Sequence, residues 1–149
     1  MRRLFHSLQR EEEGVAAVEV ALMLPFFVLL VFGAIDASNL LIQTHRVEQG
    51  LALAGGYLSK SQDPGDRIDE AKELAVTGRI SGGQPIVKGW STADVSVSFR
   101  SVAGTYRTGT SGRVVRMATS HSYEGFGLLR GLSGARIRVE ASHEERIDL

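Results

Sequence analysis

The stretch GVAAVEVALMLPFFVLLVFGAI, residues 14–35, decides the fold because it is the one long apolar run in the chain. The 21 residues after its first glycine contain a single charged side chain, Glu19. As an α-helix at 1.5 Å per residue, they would extend about 30 Å, which matches the hydrocarbon core of a bilayer. The run therefore predicts a membrane-spanning helix. The alternative is a buried helix of a soluble domain, but a chain of 149 residues has little room to cover such a segment on every side.

The residues on the two sides of this run differ in charge. Arg2, Arg3 and Arg10 precede it, whereas Arg46 is the only Arg or Lys in the 20 residues that follow. By the positive-inside rule, the N-terminus stays in the cytoplasm and everything after residue 35 is exported. A cleaved secretory signal is the alternative, but the run is longer than the usual apolar core of such a signal, and no small-x-small cleavage site follows it. We therefore expect a single-pass anchor that stays attached.

The helix is predicted to continue beyond the membrane with one apolar face. Apolar or small side chains recur at three- and four-residue spacing, which is typical of an amphipathic helix. These residues are Leu40, Leu41, Thr44, Val47, Leu51, Ala54 and Leu58. Residues 15 to about 58 therefore predict one helix more than about 60 Å long. Pro25 lies inside it and removes one backbone hydrogen bond, so we expect a kink there.

The remainder of the chain predicts a small α+β unit. Asp66 can cap a second, short helix, and Gly78 can end it. Alternating apolar and polar residues then predict three strands, at 95–100, 114–123 and 136–140, in an antiparallel sheet. The expected organisation is a leader (1–14), a transmembrane half-helix (15–35), its amphipathic continuation (36–60) and an exported head (61–149).

Composition and motifs argue against catalysis and nucleic-acid binding. The 17 basic residues balance the 17 acidic ones, and the chain has no cysteine for a disulfide or a thiolate metal site. None of the four histidines lies in a Gly-x-Ser-x-Gly or HExxH motif. His143-Glu144-Glu145 could ligate a metal, but we interpret this segment as a solvated polar tail. Asp36 is interpreted as an interfacial residue, with a subunit contact as the alternative. We expect no enzyme, cofactor or metal.

The stretch EEEGVAAVEVALMLPFFVLLVFGAIDASNLL, residues 11–41, resembles the N-terminus of TadE-like proteins, which are pilin-like components of the bacterial tight-adherence (Flp) pilus. The resemblance rests on the charged leader, Gly14, Ala17-Val18-Glu19 and Pro25. Val20 departs from the family pattern, which usually has Phe after the glutamate. The resemblance implies a pilin-like fold and a pseudopilin or minor-pilin role in a type IV pilus. It also implies localisation in the inner membrane, with the head in the periplasm, and incorporation into pili.

The resemblance also implies specific site residues. A prepilin peptidase would cut between Gly14 and Val15, and Glu19 would then attract the new N-terminal ammonium of a neighbouring pilin-like subunit during assembly. Physical chemistry gives a parallel reason, because a carboxylate inside a membrane helix is unfavourable unless it has a partner. The alternative for Glu19 is a side chain that snorkels to the headgroups. The alternative for the whole protein is a signal-anchored protein that does not polymerise and whose exported head binds another partner.

Overall fold

The computed structural model describes residues 2–102, 112–125, 127, 131, 134 and 136–147, with side chains from residue 14 onward. Its main element is one α-helix, α1 (Arg2–Ser59), of 58 residues. The helix therefore begins well before Val15, where the sequence analysis placed its start. Residues 4–13 contain neither glycine nor proline, so nothing in them opposes helix formation ahead of Gly14. The helix also passes through Pro25 without interruption.

The second half of α1 buries the face that the sequence predicts. Val47, Leu51, Ala54 and Leu58 are all completely buried. Leu40 packs against their edge, whereas Leu41 is 61% exposed and lies outside the buried stripe. The stripe follows the three- and four-residue spacing of one helix face, so the amphipathic continuation is confirmed.

A short helix, α2 (Ile68–Thr77), packs beside α1 through Ala71, Leu74 and Ala75. Gly78 ends it in the left-handed conformation, at φ 74°, and donates its backbone N–H to the carbonyl of Leu74. That part of the sequence prediction is confirmed. The predicted cap by Asp66 is wrong, because Arg67 occupies the N-cap position and no side chain caps the helix.

Charged groups at the start of α2 take over the stabilising role of a cap. Asp69 and Glu70 lie in the first turn, where carboxylates interact favourably with the helix dipole. Glu70 also accepts hydrogen bonds from the Tyr57 hydroxyl of α1 and from Arg67. These two hydrogen bonds, that from Tyr57 foremost, lower the pKa of Glu70. The ionised form of Glu70 therefore ties the first turn of α2 to α1.

Three antiparallel strands complete the fold in the order β1-β2-β3: β1 (Val95–Val102), β2 (Gly112–Ser122) and β3 (Arg138–Ile147). A single 3-10 turn, Thr92–Asp94, leads into β1. The α+β class, with its long N-terminal helix, short helix and three-stranded sheet, is confirmed. We call the unit formed by α2, the 3-10 turn and the sheet the head.

β3 extends further than the sequence analysis expected, through the segment interpreted as a polar tail. His143 and Glu145 lie in this strand and are half-buried, with Gly55 of α1 close to both. A Cβ atom at Gly55 would lie 2.9 Å from Cδ2 of His143. The tail interpretation is therefore wrong, because a missing side chain on α1 makes room for polar residues on the inner face of the sheet.

The core of the head lies between α1, α2 and the inner face of the sheet. Its largest buried side chain is Trp90, whose indole N–H donates to the hydroxyl of Thr119 at 3.0 Å. His121 stacks on the same indole with ring centroids 6.0 Å apart. Burial lowers the pKa of His121, with Asp94 opposing the shift, so the imidazole is neutral at neutral pH. The other buried apolar residues are Val76, Val87, Val95, Val115, Met117, Val139 and Ile147.

We predict that Gly50→Ala destabilises the head by about 1–3 kcal/mol, the usual cost of overpacking a core. A Cβ atom at this position would collide with the carbonyl oxygen of Ala75 and lie 3.0 Å from the indole of Trp90. The measurement is thermal unfolding of the full chain in detergent, followed by the fluorescence of Trp90, the single tryptophan. Gly56→Ala is the matched control, because no atom lies within 4 Å of its added Cβ and alanine favours a helix. Equal melting temperatures for the two variants would contradict the close contact.

Candidate functional site

The residues singled out by the sequence lie in the first half of α1, which the head leaves uncovered. All the large apolar side chains from Val15 to Ile35 are exposed, from 43% at Ile35 to 75% at Phe26. Within the described residues, one helix is long and apolar enough to cross a membrane, and none of its most apolar window is buried inside the protein. An exposed apolar surface of this extent requires lipid or other helices around it. The structure therefore fits a single-pass membrane anchor.

Gly14, Val15 and Glu19 lie on this uncovered part of α1. Gly14 has no atom within 4 Å of the position that a Cβ would take, and Val15 is 62% exposed. Glu19 follows Val15 by four residues, so the two lie on the same face of the helix about one turn apart. None of the ion pairs between side chains that the structure describes involves Glu19. The described side chains therefore supply no cation to its carboxylate.

A shallow apolar groove surrounds Pro25 on the membrane-spanning half of α1. It has a volume of about 400 Å³ and is lined by Leu24, Pro25, Val28, Leu29 and Phe32. Proline has no backbone N–H, so one helical hydrogen bond is missing beside this groove. The kink predicted at this residue stays a prediction.

The end of the apolar run is joined to the head by a partly buried hydrogen bond. Asp36 is completely buried, and its Oδ1 accepts the hydroxyl proton of Tyr123 at 2.7 Å. The same hydroxyl lies 2.9 Å from the main-chain oxygen of Asp36. Gly125 permits this approach, because a Cβ there would collide with both side chains. Asp36 is thus covered by the head, and its interpretation as an interfacial residue stays a prediction. The sequence carries no signal for its contact with Tyr123, 87 residues away.

A second hydrogen bond holds the same loop against α1. The amide nitrogen of Gln43 donates to the main-chain oxygen of Glu124 at 3.2 Å.

Burial, followed by the bond to Asp36, raises the pKa of Tyr123 to about 12. The hydroxyl is therefore protonated, and available as a donor, at neutral pH.

Two histidines lie beside carboxylates, one on α1 and one in the sheet. Nδ1 of His45 lies 3.4 Å from a carboxylate oxygen of Glu48 along α1, and Nε2 of His143 lies 3.0 Å from one of Glu145 along β3. Within the part of the chain described with side chains, no three His, Asp or Glu groups converge to hold a metal ion. The feature that distinguishes the described residues is therefore the uncovered apolar half of α1.

We predict that Tyr123→Phe lowers the free energy of unfolding by about 1–3 kcal/mol, because it removes the hydroxyl that donates to a buried carboxylate. Unfolding of the full chain in detergent, followed by Trp90 fluorescence, measures this loss. Ser98→Ala is the control, since Ser98 lies on the exposed outer face of the sheet. A stability equal to that of Ser98→Ala would show that the hydrogen bond to Asp36 contributes nothing.

Comparison with known proteins agrees with the resemblance noted in the sequence. No curated protein and no solved structure matches the chain. Residues 14–55, which run from the proposed cleavage site to the middle of the stripe that packs on the head, match a family model. That model is the one described as TadE-like protein, so the TadE-like character of α1 is confirmed over residues 14–55.

Proposed function

We propose that this chain is a pilin-like component of a tight-adherence pilus system, held in the bacterial inner membrane and processed by a prepilin peptidase. The observation that carries the proposal is the combination of a TadE-like helix with a head that covers only its far end. A membrane-spanning helix that leaves its whole circumference free can exchange lipid for the helices of neighbouring subunits without unfolding the head.

The orientation follows from the arginines of the leader. Arg2, Arg3 and Arg10 keep the N-terminus in the cytoplasm, and acidic residues count little in this rule. The head is then periplasmic, and the bond after Gly14 lies at the cytoplasmic edge of the bilayer. A membrane-bound peptidase acting at that edge can reach Gly14 without contacting the head.

The site at Gly14 and Val15 is suited to proteolysis. Peptidases bind their substrates in extended form, so the helix must open locally before the bond is cut. Glycine is less favourable in a helix than alanine by about 1 kcal/mol, which makes Gly14 a point of easy opening. Among the described residues no atom lies within 4 Å of the position of its added Cβ, so none of the described side chains has to move.

Glu19 is proposed to hold subunits in register. Cleavage would convert Val15 into a positively charged N-terminus one helical turn from Glu19 in the sequence. A neighbouring subunit would then supply the cation that this carboxylate lacks among the described side chains. A charge in the bilayer centre costs about 2.5–3.5 kcal/mol, and less near the edge where Glu19 lies, so pairing favours assembly over the isolated chain.

We predict that co-expression with a matching prepilin peptidase shortens the chain by the 14 residues of the leader. Gly14→Ala should slow cleavage, because a side chain there obstructs the enzyme and strengthens the helix. Intact-mass measurement follows the ratio of the two forms. Gly33→Ala is the matched control, as Gly33 also lies in α1 with no atom within 4 Å of its added Cβ. Retention of Met1 in the presence of an active peptidase would refute processing.

We predict that Glu19→Gln leaves insertion and processing intact but strongly reduces recovery in sheared pili. Without the carboxylate, the new ammonium of a neighbouring subunit enters the apolar bundle unpaired, which costs several kcal/mol. Glu19→Asp should give a partial defect because its side chain is shorter. Glu48→Gln, an exposed change outside the apolar run, controls for loss of a negative charge on α1.

Recovery is scored by immunoblot of the pilus fraction relative to the membrane level and processing state of each variant. Assembly of Glu19→Gln at the level of wild type would show that the carboxylate only snorkels to the headgroups. Processing without recovery of any form in pili would favour the signal-anchored protein that does not polymerise.

A further inference from the structure

A polar cavity lies at the end of the head nearest the membrane-spanning half of α1. It has a volume of about 470 Å³ and opens between the segment that follows β2 and the connector that precedes β1. Lys88 and Arg136 bring two cationic groups to its walls, and Ser122 and Tyr123 bring hydroxyl-bearing side chains. Glu124 is the one carboxylate among the described lining residues. None of these groups takes part in the proposed processing or subunit pairing.

The height of this cavity above the bilayer follows from two hydrogen bonds between its lining residues and α1. Tyr123 reaches Asp36, the first residue past the apolar run, and the main chain of Glu124 is held by Gln43. Seven residues of helix separate these anchor points, which is a rise of about 10 Å. The headgroup layer extends about 5–8 Å beyond the hydrocarbon on each side of a bilayer. The floor of the cavity therefore lies at the level of the headgroups. A lysine or arginine side chain in its wall can reach a headgroup from there.

The charges of the cavity favour an anion. Nζ of Lys88 lies 3.3 Å from Glu124, but the Lys88 side chain is 87% exposed and its ammonium remains accessible. Arg136 is exposed and forms none of the ion pairs between described side chains. Among the described lining residues, two cations and one carboxylate leave one positive charge. That charge matches a phosphodiester, which carries one negative charge.

We propose that this cavity binds the phosphate of an anionic phospholipid in the leaflet beneath the head. Arg136 presents a planar fork of donors that suits two phosphate oxygens, and Lys88 adds a second cation. Tyr123 lies at the depth where aromatic side chains concentrate in membrane proteins. Such a contact holds the head upright on the bilayer. The proposal rests on the membrane insertion of the proposed function but not on pilus assembly.

The test measures phospholipid retention by native mass spectrometry. Full-length protein is purified in detergent with equal amounts of a phosphatidylglycerol and a phosphatidylcholine. We expect the phosphatidylglycerol to be retained preferentially. Arg136→Gln should reduce that retention about fivefold, the effect of one cation near an anionic surface. Arg100→Gln is the matched control, because Arg100 is exposed near the opposite end of the sheet. Equal retention of the two lipids, or an equal loss in Arg100→Gln, would overturn the proposal.

A second arm separates a lipid headgroup from a free phosphate ester. Glycerol 3-phosphate at millimolar concentration should not displace the bound phosphatidylglycerol, and displacement would overturn the lipid assignment in favour of a soluble anion. Insertion is checked on the same preparation by flotation with vesicles. A chain that does not enter the bilayer overturns this inference together with the proposed function. An inserted chain without lipid preference overturns this inference alone.

Discussion

The packing of one face of α1 against the sheet and α2 positions every other element of the head. Val47, Leu51, Ala54 and Leu58 form a continuous buried stripe, and two glycines on the same helix allow close approach from either side. Because Gly50 has no side chain, the backbone of α2 can approach α1 closely there. Gly55 leaves room for β3 in the same way. Because α1 continues without a break into the apolar run, the stripe also fixes the rotation of the head relative to the membrane-spanning half.

The helix serves two environments, and Asp36 marks the change from one to the other. Before it, between Val15 and Ile35, side chains face outward in all directions, and all of them except Glu19 are apolar. After it, one face is buried in protein and the other is polar. A carboxylate at such a boundary could remain in water, yet here it is covered by Tyr123 and bonded to it. The bond ties the loop after β2 to the end of the apolar run.

The features that depend on local periodicity could be predicted from the sequence. The long helix, the short helix ending at Gly78 and the three strands each leave a repeating pattern of apolar residues. The prediction that Asp66 caps α2 was wrong because several polar residues in that turn can begin a helix equally well. His143 and Glu145 were misassigned because their burial depends on Gly55, which lies almost ninety residues earlier.

Some residues of the candidate site could likewise be predicted from the sequence, whereas others could not. Gly14, Val15, Glu19 and Pro25 can be found from sequence because they match the TadE-like pattern along one helix. Their roles in cleavage and pairing are proposals that depend on molecules separate from this chain, and the kink at Pro25 stays a prediction. The Asp36–Tyr123 bond and the cavity beside Lys88 could not be found, since tertiary packing alone brings their residues together.

The position of β3 has a consequence for the timing of folding. This strand makes the most extensive contact of the sheet with α1, and it comes last among the described elements. The apolar stripe of α1 is therefore covered last, after almost ninety further residues have been synthesised. Contacts between such distant parts of a sequence form late and slow the folding of a chain. The order of the elements thus delays the closure of the head until β3 is available.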